Sequence, residues 1–144
     1  MGLSGLFAVS ASGLSAHRLR MDVISANLAN AQSTSTPAGG AYRRQDVVLQ
    51  AVPQNGFDDL LSSAGGQGAA VKVARVVEDQ APFRQSYDPG HPHADEDGYV
   101  ALPNVNVVTE MVDMMSATRA YEANVAAINA TKRVLQAALE IGQG

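Results

Sequence analysis

The most regular part of the chain is VVTEMVDMMSATRAYEANVAAINATKRVLQAALEI, residues 107–141. Apolar side chains recur there at alternating intervals of four and three residues, the heptad spacing of a helix that packs along another helix. Asn106 is a good N-cap residue, Glu110 suits the positive end of the helix dipole, and Gly142 is a good C-terminal stop. At 1.5 Å per residue, such a helix would be roughly 50 Å long. This length predicts a helical partner, because a small core does not need it.

A second heptad pattern runs from Leu3 to Leu28 and predicts another amphipathic helix. Gly5, Gly13 and several serines weaken its intrinsic propensity, so alone in water it would be marginal. Burial of a large apolar side chain contributes roughly 1.5–3 kcal/mol, which favours packing against the C-terminal helix and neighbouring subunits. The two predicted seams are Leu3, Phe7, Ser10, Leu14, His17, Met21, Ile24 and Leu28, and Val107, Met111, Met114, Thr118, Tyr121, Val125, Ile128, Lys132, Leu135 and Leu139.

The composition changes between these two patterns. Residues 31–41, AQSTSTPAGGA, predict a turn-rich connection, and the glycine-rich residues 53–70 predict a mobile loop. The β-branched content of residues 42–52 and 71–77 predicts two strands. Residues 88–104 are rich in proline, glycine and acidic residues.

The expected fold is therefore mainly α, with two long terminal helices packed as a coiled coil and a small β-containing insert between them. The expected divisions are an N-terminal helix at residues 1–31, a central loop and β-rich insert at 32–103, and a C-terminal helix at 104–144.

Composition excludes several classes of function. The chain has 144 residues, a net charge of −4 and only two lysines, which argues against a nucleic-acid partner. The absence of cysteine excludes disulfides and thiolate catalysis. Residues 1–17 carry no charged side chain and are interrupted by glycine and serine, so they resemble neither a signal peptide nor a membrane span. We expect no direct membrane insertion, and any export must proceed without a cleaved signal peptide.

One cluster could bind a divalent metal, since two histidines and three acidic residues fall within seven positions. Aligned on Gly98, a calcium loop would require an acidic residue at His93 and a glutamate at Asn104. Prolines and glycines punctuate the segment, so we predict a solvated turn and not a metal site. A small metal-binding enzyme is the alternative interpretation. The clustered residues are His91, His93, Asp95, Glu96 and Asp97.

No motif supports catalysis or cofactor binding. The chain has no G-x-S-x-G sequence, and its glycines at 65, 66 and 68 lack the third glycine of a dinucleotide loop. The adjacent Arg43 and Arg44 are interpreted as a salt-bridging pair at a strand edge or between subunits. We therefore predict no catalytic residue, no cofactor and no enzymatic activity.

Several motifs are similar to those of the flagellar axial family of rod and hook proteins. SANLANAQS, residues 25–33, resembles the N-terminal signature of that family, in which an Asn-x-x-Asn pair lies on one face at a helix end. That pair is Asn27 and Asn30 here, and the same spacing also suits simple helix capping. Residues 42–48 and 87–115 resemble segments of the proximal-rod members, and residues 116–142 resemble the axial C-terminal helix.

The resemblance implies a structural subunit of the proximal rod of the bacterial flagellar basal body, which spans the periplasm. Such subunits polymerise through their terminal helices into a hollow drive shaft that transmits torque and allows export. The implied partners are copies of the chain, other proximal and distal rod subunits, the rod-to-MS-ring adaptor and the flagellar type III export apparatus. Another rod or hook-type axial protein is the alternative. The expected assembly interface comprises Leu3, Phe7, Leu14, Met21, Ile24, Asn27, Leu28, Asn30, Val107, Met111, Met114, Tyr121, Val125, Ile128, Leu135 and Leu139.

Overall fold

A computed structural model describes residues 3–52 and 70–142. Apart from Ala70, the loop expected at residues 53–70 lies outside the described residues. The elements in chain order are α1 (Leu3–Ala29), β1 (Gln45–Val52), β2 (Ala70–Glu78), β3 (Arg84–Tyr87), β4 (Tyr99–Leu102) and α2 (Val107–Gly142).

Helix α2 begins and ends where the sequence predicts. The Asn106 side-chain oxygen accepts hydrogen bonds from the backbone N–H groups of Val108 at 3.0 Å and Thr109 at 3.2 Å. These bonds satisfy two of the donors that a helix start leaves free. The described helix has 36 residues and ends at Gly142. At 1.5 Å per residue it is about 54 Å long.

The two helices lie side by side and antiparallel. Asn27 of α1 donates a hydrogen bond to Glu110 near the start of α2. Further along α2, and further back along α1, Thr118 Oγ1 lies 3.6 Å from Met21 Sδ. Still further along, a Cβ atom at Gly13 would come within 3.0 Å of the Asn124 side chain. Gly13 therefore permits a close approach of the helices. Among the described helices and strands, α2 packs only on α1.

The side of α2 that faces α1 also shows heptad spacing. Its members are buried or half-buried, and they are Glu110, Met114, Ala117, Tyr121, Asn124, Ile128, Thr131 and Leu135. Half of these residues belong to the predicted seam, namely Met114, Tyr121, Ile128 and Leu135. Each of the others lies one residue before a predicted position, because Glu110 and Asn124 contact α1 directly at Asn27 and Gly13. The helix is thus rotated slightly from the orientation that its apolar pattern alone indicates.

The two predicted strands are confirmed as an antiparallel pair. β1 and β2 pair from Gln45 opposite Glu78 to Val52 opposite Ala70, with an irregularity between Val48 and Leu49. This sheet rests on α1, where the Val71 N–H donates to Ser12 Oγ at 3.0 Å.

A second two-stranded sheet pairs β3 with β4, two strands that the sequence did not predict individually. All four residues of β3 are exposed, so it has no apolar alternation to reveal it. The turn depends on Gly98, whose φ is 81° and where a Cβ atom would meet the Tyr87 ring at 2.9 Å. The chain thus consists of two long helices and a small insert of two antiparallel sheets. Neither described helix has the length and apolarity needed to cross a membrane.

Candidate functional site

A buried asparagine joins three parts of the chain near the end of α1. The Asn27 side-chain oxygen accepts from the Tyr42 hydroxyl at 3.0 Å and the Gln45 N–H at 2.9 Å. Its Nδ2 donates to the Gln45 carbonyl at 2.8 Å and to Glu110 Oε2 at 3.0 Å. All four hydrogen-bonding positions of the amide are thus used. Rotating the amide by half a turn would oppose donors to donors, so the surroundings determine its orientation.

Glu110 is fully buried in the first turn of α2, and Arg44 neutralises it. Arg44 Nε donates to Glu110 Oε1 at 2.6 Å, while Glu110 Oε2 accepts from Asn27. A buried carboxylate without such partners would be strongly destabilising. Three further carboxylates lie around the Arg44 guanidinium, at 3.9 Å for Asp46, 3.7 Å for Asp79 and 3.9 Å for Asp113.

Two pKa values in this region are raised. Burial alone would lower the pKa of Arg44, but its hydrogen bond to Glu110 and the surrounding carboxylates raise it above the usual value. The pKa of Tyr42 is raised first by burial and then by the charges of Glu110 and Glu78. Arg44 is therefore held as a cation and Tyr42 as a neutral hydrogen-bond donor.

Asn104 extends the network to the segment that leads into α2. Its Oδ1 accepts from the Arg44 backbone N–H at 2.8 Å, and its Nδ2 donates to the carbonyls of Asp79 and Ala81, each at 3.2 Å. The neighbouring Arg43 donates to the Asp79 carbonyl at 2.9 Å and lies 4.4 Å from the centre of the Phe83 ring. We call Asn27, Tyr42, Arg44, Asn104 and Glu110 the polar junction.

The polar junction holds the two helices and the strand segments in one arrangement. Its carboxylate and guanidinium are bonded to each other, and its amides are bonded to backbone groups, to Glu110 and to the Tyr42 hydroxyl. These contacts connect α1, α2 and the segments that lead into β1 and α2.

The structure separates the two asparagines that the sequence singled out. Asn27 connects distant parts of the chain. Asn30 makes only local bonds, donating to the Ala26 carbonyl at 2.9 Å and accepting from Ser33 Oγ at 3.1 Å. Capping is thus the role of Asn30 and not of Asn27. Arg44 forms its predicted salt bridge within the chain, with Glu110.

Sequence reasoning assigned Glu110 only to the helix dipole and missed its pairing with Arg44 and Asn27. A usable signal was its position: Glu110 lies four residues before Met114, in line with the side of α2 that faces α1. A charged residue at such a position requires a partner.

The structure places the predicted interface residues at different depths. Ile24 is buried, whereas Val107, Met111 and Leu139 are exposed in the single chain. The Leu3 side chain lies outside the part of the chain described. The half-buried members are Phe7, Leu14, Met21, Leu28, Asn30, Met114, Tyr121, Val125, Ile128 and Leu135.

The histidine cluster lies in the turn between β3 and β4. His93 Nδ1 is 3.0 Å from Thr34 Oγ1, and the two histidine rings are 5.4 Å apart. Asp95 Oδ1 accepts from the backbone N–H groups of Asp97 at 3.1 Å and Tyr99 at 2.7 Å. Within residues 3–52 and 70–142, no three histidine or acidic side chains are arranged to hold a metal ion.

Comparisons with known proteins identify relatives along the whole chain. Residues 7–35 match the family model "Flagella basal body rod protein", and residues 96–141 match "Flagellar basal body rod FlgEFG protein C-terminal". The chain is 47% identical to the flagellar basal-body rod protein FlgC of Borreliella burgdorferi, with both chains covered completely. It is 48% identical to FlgC of Bacillus subtilis, covering 94% of this chain and 95% of the relative. It is 43% identical to FlgC of Salmonella typhimurium, covering 99% and 100%.

Proposed function

Because the chain belongs to the FlgC family of flagellar basal-body rod proteins, we propose that it is a structural subunit of the proximal rod. In this role it polymerises through its terminal helices into a hollow drive shaft that transmits torque and leaves a channel for export. The rod spans the periplasm, and the subunit reaches it through the flagellar type III apparatus without cleavage of a signal peptide.

One observation carries this proposal: hydrogen bonds and an ion pair connect the helices inside the chain, while large apolar side chains of α2 stay exposed. The polar junction holds α1, α2 and the strand segments together through Asn27 and Glu110. Large apolar side chains nevertheless stay exposed along α2, including Val107, Met111 and Leu139. A torque-bearing subunit needs both features, because it must resist shear internally and bury its remaining apolar surface on neighbours.

The heptad spacing of the positions between α1 and α2 supports coiled-coil packing within each subunit. Sixteen seam and asparagine positions were predicted from the sequence as the assembly interface. Ile24 and Asn27 are buried inside the single chain. Met114, Tyr121, Ile128 and Leu135 lie on the side of α2 that faces the chain's own α1. The other ten positions form the proposed assembly interface. The proposed divisions remain residues 1–31, 32–103 and 104–144. Contacts between subunits are heterologous and repeat along a helical path.

The proposed partners are other copies of the chain, other proximal and distal rod subunits and the rod-to-MS-ring adaptor. We propose no enzymatic activity. The named relatives are rod proteins, and the polar junction offers structural bonds in place of a reactive group.

The test is removal of the chain from its parent bacterium, followed by complementation with a tagged copy. Basal bodies purified from the deletion strain should lack a complete rod, and the tagged chain should be recovered in the rod of complemented cells. Complete rods and normal swimming in the deletion strain would contradict the proposed function.

A further inference from the structure

The side of α2 that points away from α1 carries a continuous apolar surface. Val108, Met111, Val112 and Met115 are 71%, 55%, 54% and 55% exposed. Their spacing of three, one and three residues places them on one side of the helix. The same side continues through the exposed Arg119 and Glu122 and then through alanines that include Ala126 and Ala130. We call this surface the outer face of α2.

Helix α1 has an outer face of a different kind. On one side of α1, exposed residues recur at intervals of three and four, and those on this side have small side chains except Arg18 and Asp22. The exposed Leu6 lies on another side of the helix. The members of this outer face of α1 are Ala8, Ala11, Ser15, Arg18, Asp22, Ser25 and Ala29.

We propose that the outer face of α2 docks antiparallel on the outer face of α1 of a second copy of this chain. The contact rests on the proposed function and specifies which helix faces meet during assembly, and in which register. The chain's own α1 cannot be the occupant, because it covers the opposite side of α2 at Glu110 and Ala117.

The charges on the two faces select the antiparallel orientation. Along α1 the order is Arg18 then Asp22, and along α2 it is Arg119 then Glu122. An antiparallel arrangement places Asp22 opposite Arg119 and Arg18 next to Glu122. A parallel arrangement that aligned the two charged pairs would oppose arginine to arginine and acid to acid, whereas the antiparallel one brings both pairs together with opposite charges.

Side-chain size agrees with the same register. When Asp22 lies opposite Arg119, Val112 lies opposite Ala29, and Met115 lies beside Ser25. Ala130 then lies opposite Ala11. Val112 and Met115 thus meet small residues of the other face, which allows the helices to interdigitate there. Met111 and Val108 lie opposite positions 30 and 33, just past the end of α1 at Ala29. Exposed ion pairs contribute little affinity, so the apolar residues supply the attraction and the charges determine orientation.

Each copy presents both faces on different helices, so the contact is heterologous. One neighbour binds to α2 and another binds to α1, and the series continues without closing into a dimer.

Cross-linking in purified basal bodies tests the register. The chain has no cysteine, so Ala11→Cys with Ala130→Cys introduces its only thiols. Oxidation should yield covalent dimers and higher multimers of the chain, because opposed positions meet the short Cβ separation that a disulfide requires. The matched control, Ala11→Cys with Ala123→Cys, is displaced by seven residues along α2 and should yield none.

Charge variants in that cysteine background test whether the contact is between copies. Asp22→Arg and Arg119→Asp should each reduce the cross-linked product on the order of fivefold, because each opposes like charges. Cells that express both variants together should regain it, since the arginine at position 22 of one chain then meets the aspartate at position 119 of the other. A contact within one chain could not be restored by mixing.

The outcomes separate the two claims. If the chain is recovered in rods but neither the cross-link nor the restoration appears, the docking contact is wrong and the proposed function stands. A cross-linked product that contains a different rod protein would likewise refute the second copy as occupant. If the chain is absent from basal bodies, both claims are overturned.

Discussion

At the scale of single residues, Asn27 carries more of the architecture than any seam leucine, because its amide bonds four groups from three segments. The sequence identified Asn27 and Asn30 as a pair but could not distinguish their roles. The partner of Asn27 on α2 is 83 positions away, and nothing in the local spacing indicates that pairing. Local capping by Asn30, by contrast, follows from its place at the helix end.

Replacement of Asn27 by alanine should strongly destabilise the chain. Asn27→Ala leaves the Tyr42 hydroxyl, the Gln45 backbone and a Glu110 oxygen without a partner, which should lower the free energy of unfolding by about 2–4 kcal/mol. Asn30→Ala, the matched control, loses only local bonds and should cost about 1 kcal/mol or less. Urea denaturation of both variants provides the measurement. Equal losses would show that Asn27 has no special role.

The pair of Arg44 and Glu110 should show strong coupling. Arg44→Met leaves a buried carboxylate uncompensated and should cost about 3–5 kcal/mol. Arg44→Met combined with Glu110→Met removes both charges and should be more stable than Arg44→Met alone. A double-mutant cycle by denaturant unfolding measures the coupling. Additive effects of the two substitutions would mean that the ion pair does not hold α2 in place.

Tyr42 should make the chain sensitive to alkali. Its pKa is raised in the fold, so the folded chain favours the protonated phenol. The associated stability is complete below the usual tyrosine pKa of about 10 and is lost as the pH rises through the higher folded value. In denaturant titrations at increasing pH, Tyr42→Phe should remove part of this alkaline loss. A variant whose stability falls with pH as steeply as that of the parent chain would contradict the assignment.

At the scale of elements, the sequence predicted what periodicity and capping chemistry determine. Both helices, the Asn106 cap and the strands β1 and β2 were found within a few residues of their expected positions. The β3–β4 sheet was missed because its turn rests on Asp95 and Gly98, whose contacts with Tyr99 and Tyr87 cannot be read from composition. The rotation of α2 was missed because it depends on Glu110 and Asn124 meeting particular positions of α1.

A charge placed on the packed side of either α1 or α2 should prevent rod completion. Leu14 and Leu135 are half-buried. Replacement of either by aspartate would bury a carboxylate without a partner and lower the free energy of unfolding by about 3 kcal/mol. Leu14→Asp and Leu135→Asp should each abolish swimming while the protein is still made. The control Gln85→Asp adds the same charge at an exposed position of β3 and should swim normally. Export must be measured separately, and normal rods in both leucine variants would refute the packed helices.

At the scale of the whole molecule, the polar junction connects the helices and strands internally, and the outer faces of α1 and α2 are exposed in the single chain. This arrangement explains how a chain with few aromatic residues and much alanine, glycine and serine can serve in a load-bearing structure. In the proposed assembly, repeated burial against other subunits stabilises the chain and compensates for the thin interior of one copy.

The most direct test of this account is a density map of the rod in basal bodies purified from the parent bacterium, with the chain identified by a tag. We expect α1 and α2 to lie antiparallel within the wall of the tube, joined at Asn27 and Glu110, with their outer faces buried on neighbouring subunits. A rod that lacks this chain, or a rod in which those helices face solvent, would contradict it.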